Sequence, residues 1–244
     1  MVSVRRTGIA VFAFWAGLCA LAAPVAAYGG KPAGGRADQV AALYGDRIAF
    51  DVFRNGSPVG SHTVLFRDTP EGLHVDVDFR VDITMLGLTV YEYRYRSKAL
   101  WRDGWLDAIT ATVDDDGDFS EIRAVKDGGR FRIEAGSEAG IADAPLFPTN
   151  HWNADVLTQS RVLNTLTGTV ADVTIDTVGR EDVATERGLV SATHYTYSGD
   201  VEAEVWYDDA GRWVRLRFKG PDGSDFDYRC RLCQGMTVGS AAND

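Results

Sequence analysis

Odd-numbered positions from Leu73 to Met85 are apolar (Leu73, Val75, Val77, Phe79, Val81, Ile83, Met85), and the even ones carry His74, Asp76, Asp78, Arg80 and Asp82. A period of two sustained this far predicts a β-strand with one dry face. The next run repeats it: Tyr91, Tyr93, Tyr95, Ser97, Ala99 and Trp101 share one parity, with Glu92, Arg94, Arg96 and Lys98 on the other. Joining the two dry faces fixes the register. A three-residue loop, Leu86-Gly87-Leu88, sets Ile83 opposite Tyr91, Val81 opposite Tyr93 and Phe79 opposite Tyr95. The same register places Asp78 by Arg96 and Asp76 by Lys98, at the cost of Asp82 facing Glu92 and Arg80 facing Arg94. Strands of this length, about 43 Å, must twist and curl, so a concave sheet is expected.

A second hairpin follows the same logic. Val201, Ala203, Val205 and Tyr207 turn inward to meet Val214, Leu216 and Phe218, while outside Glu204 meets Arg217, Glu202 meets Lys219 and Trp206 lies under Arg215. Phe226, Tyr228, Cys230 and Leu232 continue the inner face on a last strand. Between such runs stand Asn55-Gly56-Ser57-Pro58, Asp103-Gly104, Asp116-Gly117, Asp127-Gly128-Gly129, Asp209-Ala210-Gly211 and Pro221-Asp222-Gly223, all turn formers. Short connections imply antiparallel hairpins. Two stretches read as helical: Arg36 to Tyr44, with Val40, Leu43 and Tyr44 as its stripe, and Asn153 to Leu166, with Asn153 as N-cap, Val156, Leu157, Val162, Leu163 and Leu166 apolar, and Gly168 as stop. The expected fold is mainly β: one long antiparallel meander curled into a half-open barrel or sandwich, with one covering helix and a short N-terminal helix.

The ends place this domain. Arg5 and Arg6 precede an uncharged run, Gly8 to Ala23, and Val25-Ala26-Ala27 supplies small residues for cleavage after Ala27. The run is shorter than the roughly 20 residues of a spanning helix, so residues 1–27 read as a signal peptide and the protein as periplasmic, with no stable membrane span after processing. Residues 28–39 are a flexible lead-in, 40–233 a single β domain and 234–244 a disordered tail. Composition narrows the partners: a formal charge of -10 over 244 residues argues against nucleic acid and anionic surfaces, and 45% hydrophobic content excludes intrinsic disorder.

Candidate chemistry is sparse. Cys230 and Cys233 remain after processing, and a local disulfide, two free thiols and a redox centre all stay open; in a continuous strand they would point to opposite faces, so a bridge requires the strand to end by about Arg231. No further ligands at close spacing complete a zinc site, and no metal or cofactor is expected. Asp114-Asp115-Asp116-Gly117-Asp118 lacks the ligand order of a calcium loop and reads as a surface turn. His74 lies on a polar face, His62 and His194 lie in strands without a fixed-spacing partner, and His151 heads the polar and aromatic cluster Asn150-His151-Trp152-Asn153. No nucleophile elbow, zinc-protease or phosphate-loop motif occurs. The inward aromatics either fill a core or line a cavity with a polar end.

Several segments together resemble an exported bacterial family of unknown function: Phe50-Asp-Val-Phe-Arg-Asn-Gly-Ser-Pro-Val-Gly-Ser-His62, Trp101-Arg-Asp-Gly-Trp-Leu106 through Asp114-Asp-Asp-Gly117, Asn150-His-Trp-Asn153, Thr167-Gly168, and Trp206-Tyr-Asp-Asp-Ala-Gly-Arg212 leading to Asp222-Gly-Ser224. The resemblance imports no activity. More distantly, such proteins are similar to periplasmic carriers of lipoproteins and lipids, half-open barrels plugged by helices. A C-terminal Cys-x-x-Cys departs from that family's pattern. The expected role is non-enzymatic: carriage of an apolar small molecule or lipid, with Tyr91, Tyr93, Tyr95, Trp101, His151 and Trp152 as wall residues. The rivals are a structural or assembly protein with a filled core, and a hydrolase in which His151 or His194 contacts a Ser or Asp in a cleft.

Overall fold

The computed structural model describes residues 37–235. The expected signal peptide and residues 236–244 lie outside that range. A short helix, α1 (Ala37–Ala42), precedes fourteen strands. These are β1 (Arg47–Arg54), β2 (Ser57–Thr69), β3 (Gly72–Met85), β4 (Leu88–Arg102), β5 (Trp105–Asp115), β6 (Asp118–Asp127), β7 (Arg130–Ala135) and β8 (Glu138–Asp143). After an irregular segment come β9 (Arg161–Leu163), β10 (Val170–Thr185), β11 (Gly188–Gly199), β12 (Ala203–Asp208), β13 (Trp213–Lys219) and β14 (Asp225–Leu232).

All form one antiparallel sheet, in the order β8-β7-β6-β5-β4-β3-β2-β1-β14-β13-β12-β11-β10-β9. The first and last strands pair with each other, so the two edges, β8 and β9, are successive in the chain. The sheet curls without closing. Into the gap the connection between those edges folds back as a plug: Leu146, Phe147, Asn150, His151, Trp152, Asn153, Ala154, Val156 and Leu157 are all buried. Its backbone is tied to the β9 edge through Leu163 N to Phe147 O (2.7 Å) and Thr149 N to Leu163 O (3.1 Å).

The parity reading of β3 and β4 matches the observed register. Ile83 faces Tyr91, Val81 faces Tyr93, Phe79 faces Tyr95 and Asp78 faces Arg96. The connection differs, however. The turn is the two-residue Leu86-Gly87, both at positive φ, and Val90 is an extra residue between the pairs Ile83–Tyr91 and Thr84–Thr89. That bulge absorbs the one-residue offset that a two-residue turn would otherwise impose on the whole strand. Met85 consequently sits at the exposed tip rather than in the core.

Further expectations are corrected. The helix over Asn153 to Leu166 is absent: Asn153 caps only a 3-10 turn, Ala154–Thr158, and Arg161–Leu163 is strand. Val156, Leu157, Val162 and Leu163 are buried as anticipated, but Leu166 is exposed. A short apolar run has the same spacing in either element, and here the open edge of β10 supplies backbone partners for residues 161–163. Helix α1 ends at Ala42, short of the expected Tyr44; Val40 in it and Tyr44 after it are buried, while Leu43 stays at the surface. Ala37, at the end of the expected lead-in, is buried in that helix, and Gln234, at the start of the expected tail, is also buried. Lys219 pairs with Asp225 (2.5 Å) across β13–β14 rather than with Glu202. Trp206 does lie under Arg215, with the guanidinium 5.2 Å from the ring centroid.

Candidate functional site

The inner faces of β2–β5 and β12–β14 approach each other beneath the plug, and between them lies a cavity of about 430 Å³. One wall carries His62, Phe79, Val81, Tyr91, Tyr93 and Tyr95; the opposite wall carries Ala203, Leu216, Phe218, Phe226 and Tyr228, with Trp213 between them. Each wall residue is inward because its strand alternates. Phe218 and Phe226 are cross-strand partners and stack at 4.9 Å, so they form one flat apolar panel. Thr149, Asn150, His151, Asn164 and Thr165, from the plug and the segment after β9, give the cavity a polar end.

The plug is held by three buried tyrosines. Tyr207 donates to His151 O (2.6 Å), Tyr44 donates to Trp152 O (2.9 Å), and the Tyr95 hydroxyl lies 2.9 Å from Thr165 Oγ1 and 3.2 Å from Asn150 Oδ1. Tyr207→Phe should cost about 1–2 kcal/mol, because it leaves the His151 carbonyl unpaired in a buried site. Hydrogen exchange at the plug amides, read beside chemical denaturation, checks this; unchanged protection there would contradict it.

Two imidazoles set the electrostatics. His62 is boxed by Phe50, Phe79, Trp213 and Tyr228, with ring centroids 5.3–6.4 Å away. Among the described residues, neither of its nitrogens has a hydrogen-bond partner, and His151 Nδ1 has none. Burial pushes His62 down to about 3, with His151 adding to the effect, and burial alone pushes His151 down to about 4. Both rings are therefore neutral near pH 7, each with one N–H and one lone pair. Burial also raises the Tyr93 hydroxyl to about 12, so it remains a protonated donor. At the rim, Tyr91 donates to Asp115 (2.6 Å).

Of the six wall residues expected from sequence, Tyr91, Tyr93, Tyr95 and His151 line this cavity. Trp101 and Trp152 do not. They pack on each other (5.2 Å), with Phe147 against Trp101 (5.7 Å), at the other end of the barrel interior. Trp101 has the right parity, but it lies six residues along β4 from Tyr95, about 20 Å away. His62 and Trp213 went unrecognised. His62 shares the even parity of Val64 and Phe66, a polar residue on an apolar face, which is a legible signal. Trp213 turns inward through a bulge beside Tyr207 that no simple alternation marks.

Other chemistry falls elsewhere. Cys230 and Cys233 form a disulfide with Cα atoms 5.8 Å apart. Strand β14 runs to Leu232, past the point where a bridge was expected to require its end, and a register shift there makes closure feasible: Phe50 pairs with Cys230 and Ala49 with Leu232. Glu186 accepts from the backbone N–H groups of Cys233 and Gln234 (3.1 and 2.8 Å), and its carboxylate lies beside both sulfurs. With the bridge closed neither sulfur is a thiolate ligand. His194 is buried against Trp206 (4.1 Å), with Glu181 and Glu204 at 3.1 and 2.9 Å from its nitrogens. The Asp116-Gly117 pair forms the β5–β6 turn, where Gly117 N donates to Asp114 (2.9 Å). A second groove, of about 590 Å³, shares Glu202, Ala203, Phe218 and Phe226 with the cavity and is otherwise lined by ion-paired side chains such as Arg217 with Asp227 (3.5 Å). Among the described residues no helix is long and apolar enough to cross a membrane.

No curated protein matches this chain. A crystal structure of a β-barrel-like protein of the domain of unknown function DUF1849 from Brucella abortus is similar in fold, with a TM-score of 0.55 at 9% identity, over 78% of this chain and 97% of that one. The family model for the domain of unknown function DUF6134 matches residues 50–231, from the first strand to the last of the curled sheet, and the chain belongs to that family.

Proposed function

We propose that the protein binds and carries an apolar or amphipathic molecule in the cavity, without catalysis, and that it does so in the periplasm. The observation that carries this reading is the cavity itself. At about 430 Å³ it falls in the range of small-molecule sites, and it is walled mainly by aromatic and aliphatic side chains, with polar plug residues such as Asn150 and His151 and the carboxylates Asp115 and Glu202 also lining it. A sheet serving only as scaffold would be expected to fill that space, because interiors pack as densely as organic crystals. Both nitrogens of His62 and Nδ1 of His151, which have no partner among the described residues, support the same reading, since buried polar groups without partners are rare and costly. A ligand with a hydroxyl, ester or amide head and a hydrocarbon body suits such a wall. The periplasmic setting rests on the apolar N-terminal run behind Arg5 and Arg6.

Native mass spectrometry of protein taken from its own cell envelope tests the reading directly. A co-purifying lipid-like mass is the expected result, and repeated absence counts against carriage. A variant gives the second arm. Ala203 lines the cavity from β12, and Ala203→Phe should fill it. Binding of an apolar naphthylamine fluorophore should weaken at least fivefold while the melting temperature holds. Equal binding by parent and variant would remove the cavity as the site.

A further inference from the structure

We propose that the tip of the β3–β4 hairpin is a membrane-docking element, which lays Met85, Leu86, Leu88 and Val90 into the surface of a zwitterionic bilayer. Those side chains are 63%, 102%, 70% and 51% exposed. From Ile83 to Tyr91 the sequence is Ile-Thr-Met-Leu-Gly-Leu-Thr-Val-Tyr, without a charge, and Thr84 to Val90 are all at the surface.

The hairpin stands clear of the sheet. Pairing of β3 with β2 ends at Val81, and pairing of β4 with β5 ends at Tyr93, with one further backbone bond from Asp116 N to Glu92 O (2.8 Å). Four residues of β3 lie beyond Val81, so the tip projects about 13 Å. That reach matches the roughly 5–10 Å to which peripheral elements enter the boundary between headgroups and acyl chains. Pairing continues to Met85–Leu88, so the two strands satisfy each other across the hairpin. Beyond Glu92, which accepts from Asp116 N (2.8 Å), the outer backbone edges of the tip have no partner among the described residues, which limits entry to the hydrated boundary.

The turn itself carries a comparison. Asn55-Gly56, Asp103-Gly104, Asp116-Gly117 and Leu86-Gly87 share one backbone shape, with φ of 49 to 53° at the first residue and 81 to 97° at the second. Three of these turns use Asn or Asp, which suit the left-handed region; the fourth uses Leu, which does not. The fold therefore does not demand Leu86. Apolar groups surround the tip at the turn and on both strands, and a fluid hydrocarbon phase covers such a tip all round, whereas a protein pocket covers one face.

Charge selects the lipid. At the hairpin's base stand Asp82, Glu92 and the β5–β6 acids Asp114, Asp115, Asp116 and Asp118, with Arg94 already paired to Asp82 (2.6 Å). An anionic surface would be repelled, and a zwitterionic one would not. Tyr91, at the join between apolar tip and acidic base, is an amphipathic ring of the kind that settles at membrane interfaces. Val81, Tyr91 and Tyr93 also line the cavity, so docking would bring its rim to the bilayer.

Flotation with phosphatidylcholine vesicles tests this. The chain from Tyr28 to Asp244 serves, since it holds every described element and omits the apolar run Gly8 to Ala23, which would bind vesicles by itself. The parent should float, and raised salt should leave its binding unchanged. The double variant Leu86→Asn with Leu88→Thr should lower the bound-to-free ratio about tenfold or more. Its melting temperature should hold or rise, because Asn fits the turn, so lost binding cannot be ascribed to unfolding. Failure of the parent to float overturns the proposal, as does equal flotation of the variant. A parent dimer that the variant dissolves would also overturn it, assigning the tip to a second copy of the chain. Docking and carriage fail separately: lost flotation with fluorophore binding intact strikes docking alone, and the reverse strikes carriage alone.

Discussion

Trp213→Ala should destabilise the protein by about 3–5 kcal/mol, a large share of the 5–15 kcal/mol typical of a folded domain. Trp213 is fully buried and touches both halves of the barrel interior, Phe50 (4.3 Å) and His62 (5.4 Å) on one side, Tyr228 (6.3 Å) and the plug's His151 (5.8 Å) on the others. Its backbone N–H donates to the Tyr44 hydroxyl (2.8 Å), which donates in turn to Trp152 O. Removing the indole leaves a void where the sheet and the plug converge, and the stiff strands cannot collapse into it. Trp105→Ala is the control. That ring is 49% exposed and meets Phe147 edgewise (6.2 Å), so its loss should cost under about 1 kcal/mol. Urea denaturation of the two variants measures the contrast. Equal midpoints would mean that Trp213 is not the keystone described here.

Acid should unfold the protein through two histidines. His62 and His151 are held below their ordinary value of 6.5, at about 3 and about 4, chiefly by burial. A base whose folded value is depressed stays neutral in the fold while the unfolded chain takes up a proton. Stability is therefore complete above about pH 6.5 and is lost as pH falls toward the folded values. At pH 4.5 each ring should have withdrawn about 2.5 kcal/mol, or about 5 kcal/mol together. His62→Leu isolates half of this from the titration of carboxylates. The variant keeps an apolar side chain inside the aromatic box and removes two unpartnered nitrogens. Its loss of stability between pH 7 and 4.5 should be about 2.5 kcal/mol smaller than the parent's. Parallel pH profiles for parent and variant would show that His62 is solvated rather than sealed.

The same residues mark the limits of reading a sequence. The faces of β3 and β4 are legible because period-two alternation extends over a dozen residues, and only registers of one parity bring both dry faces together, among which a short loop selects one. Four cavity residues, Tyr91, Tyr93, Tyr95 and His151, followed from alternation and from an irregular polar cluster. Trp101 and Trp152 did not join them, because parity assigns a face and says nothing of position along the barrel. The segment from Asn153 to Leu166 was misread because its apolar spacing fits a helix and a turn-then-strand equally well; the free edge of β10, remote in the sheet, decided between them.

The strands β3, β4, β12, β13 and β14, their inward faces and most turns are determined by the sequence alone, since each depends on alternation and on local φ preferences within a few residues. Tertiary structure decided the pairing of β1 with β14, the plug between β8 and β9, the bulges at Val90 and beside Trp213, and the closing of Cys230 onto Cys233. Those features join residues far apart in the chain or absorb an offset between neighbouring strands. Their free energy comes from contacts that do not exist until the sheet has curled.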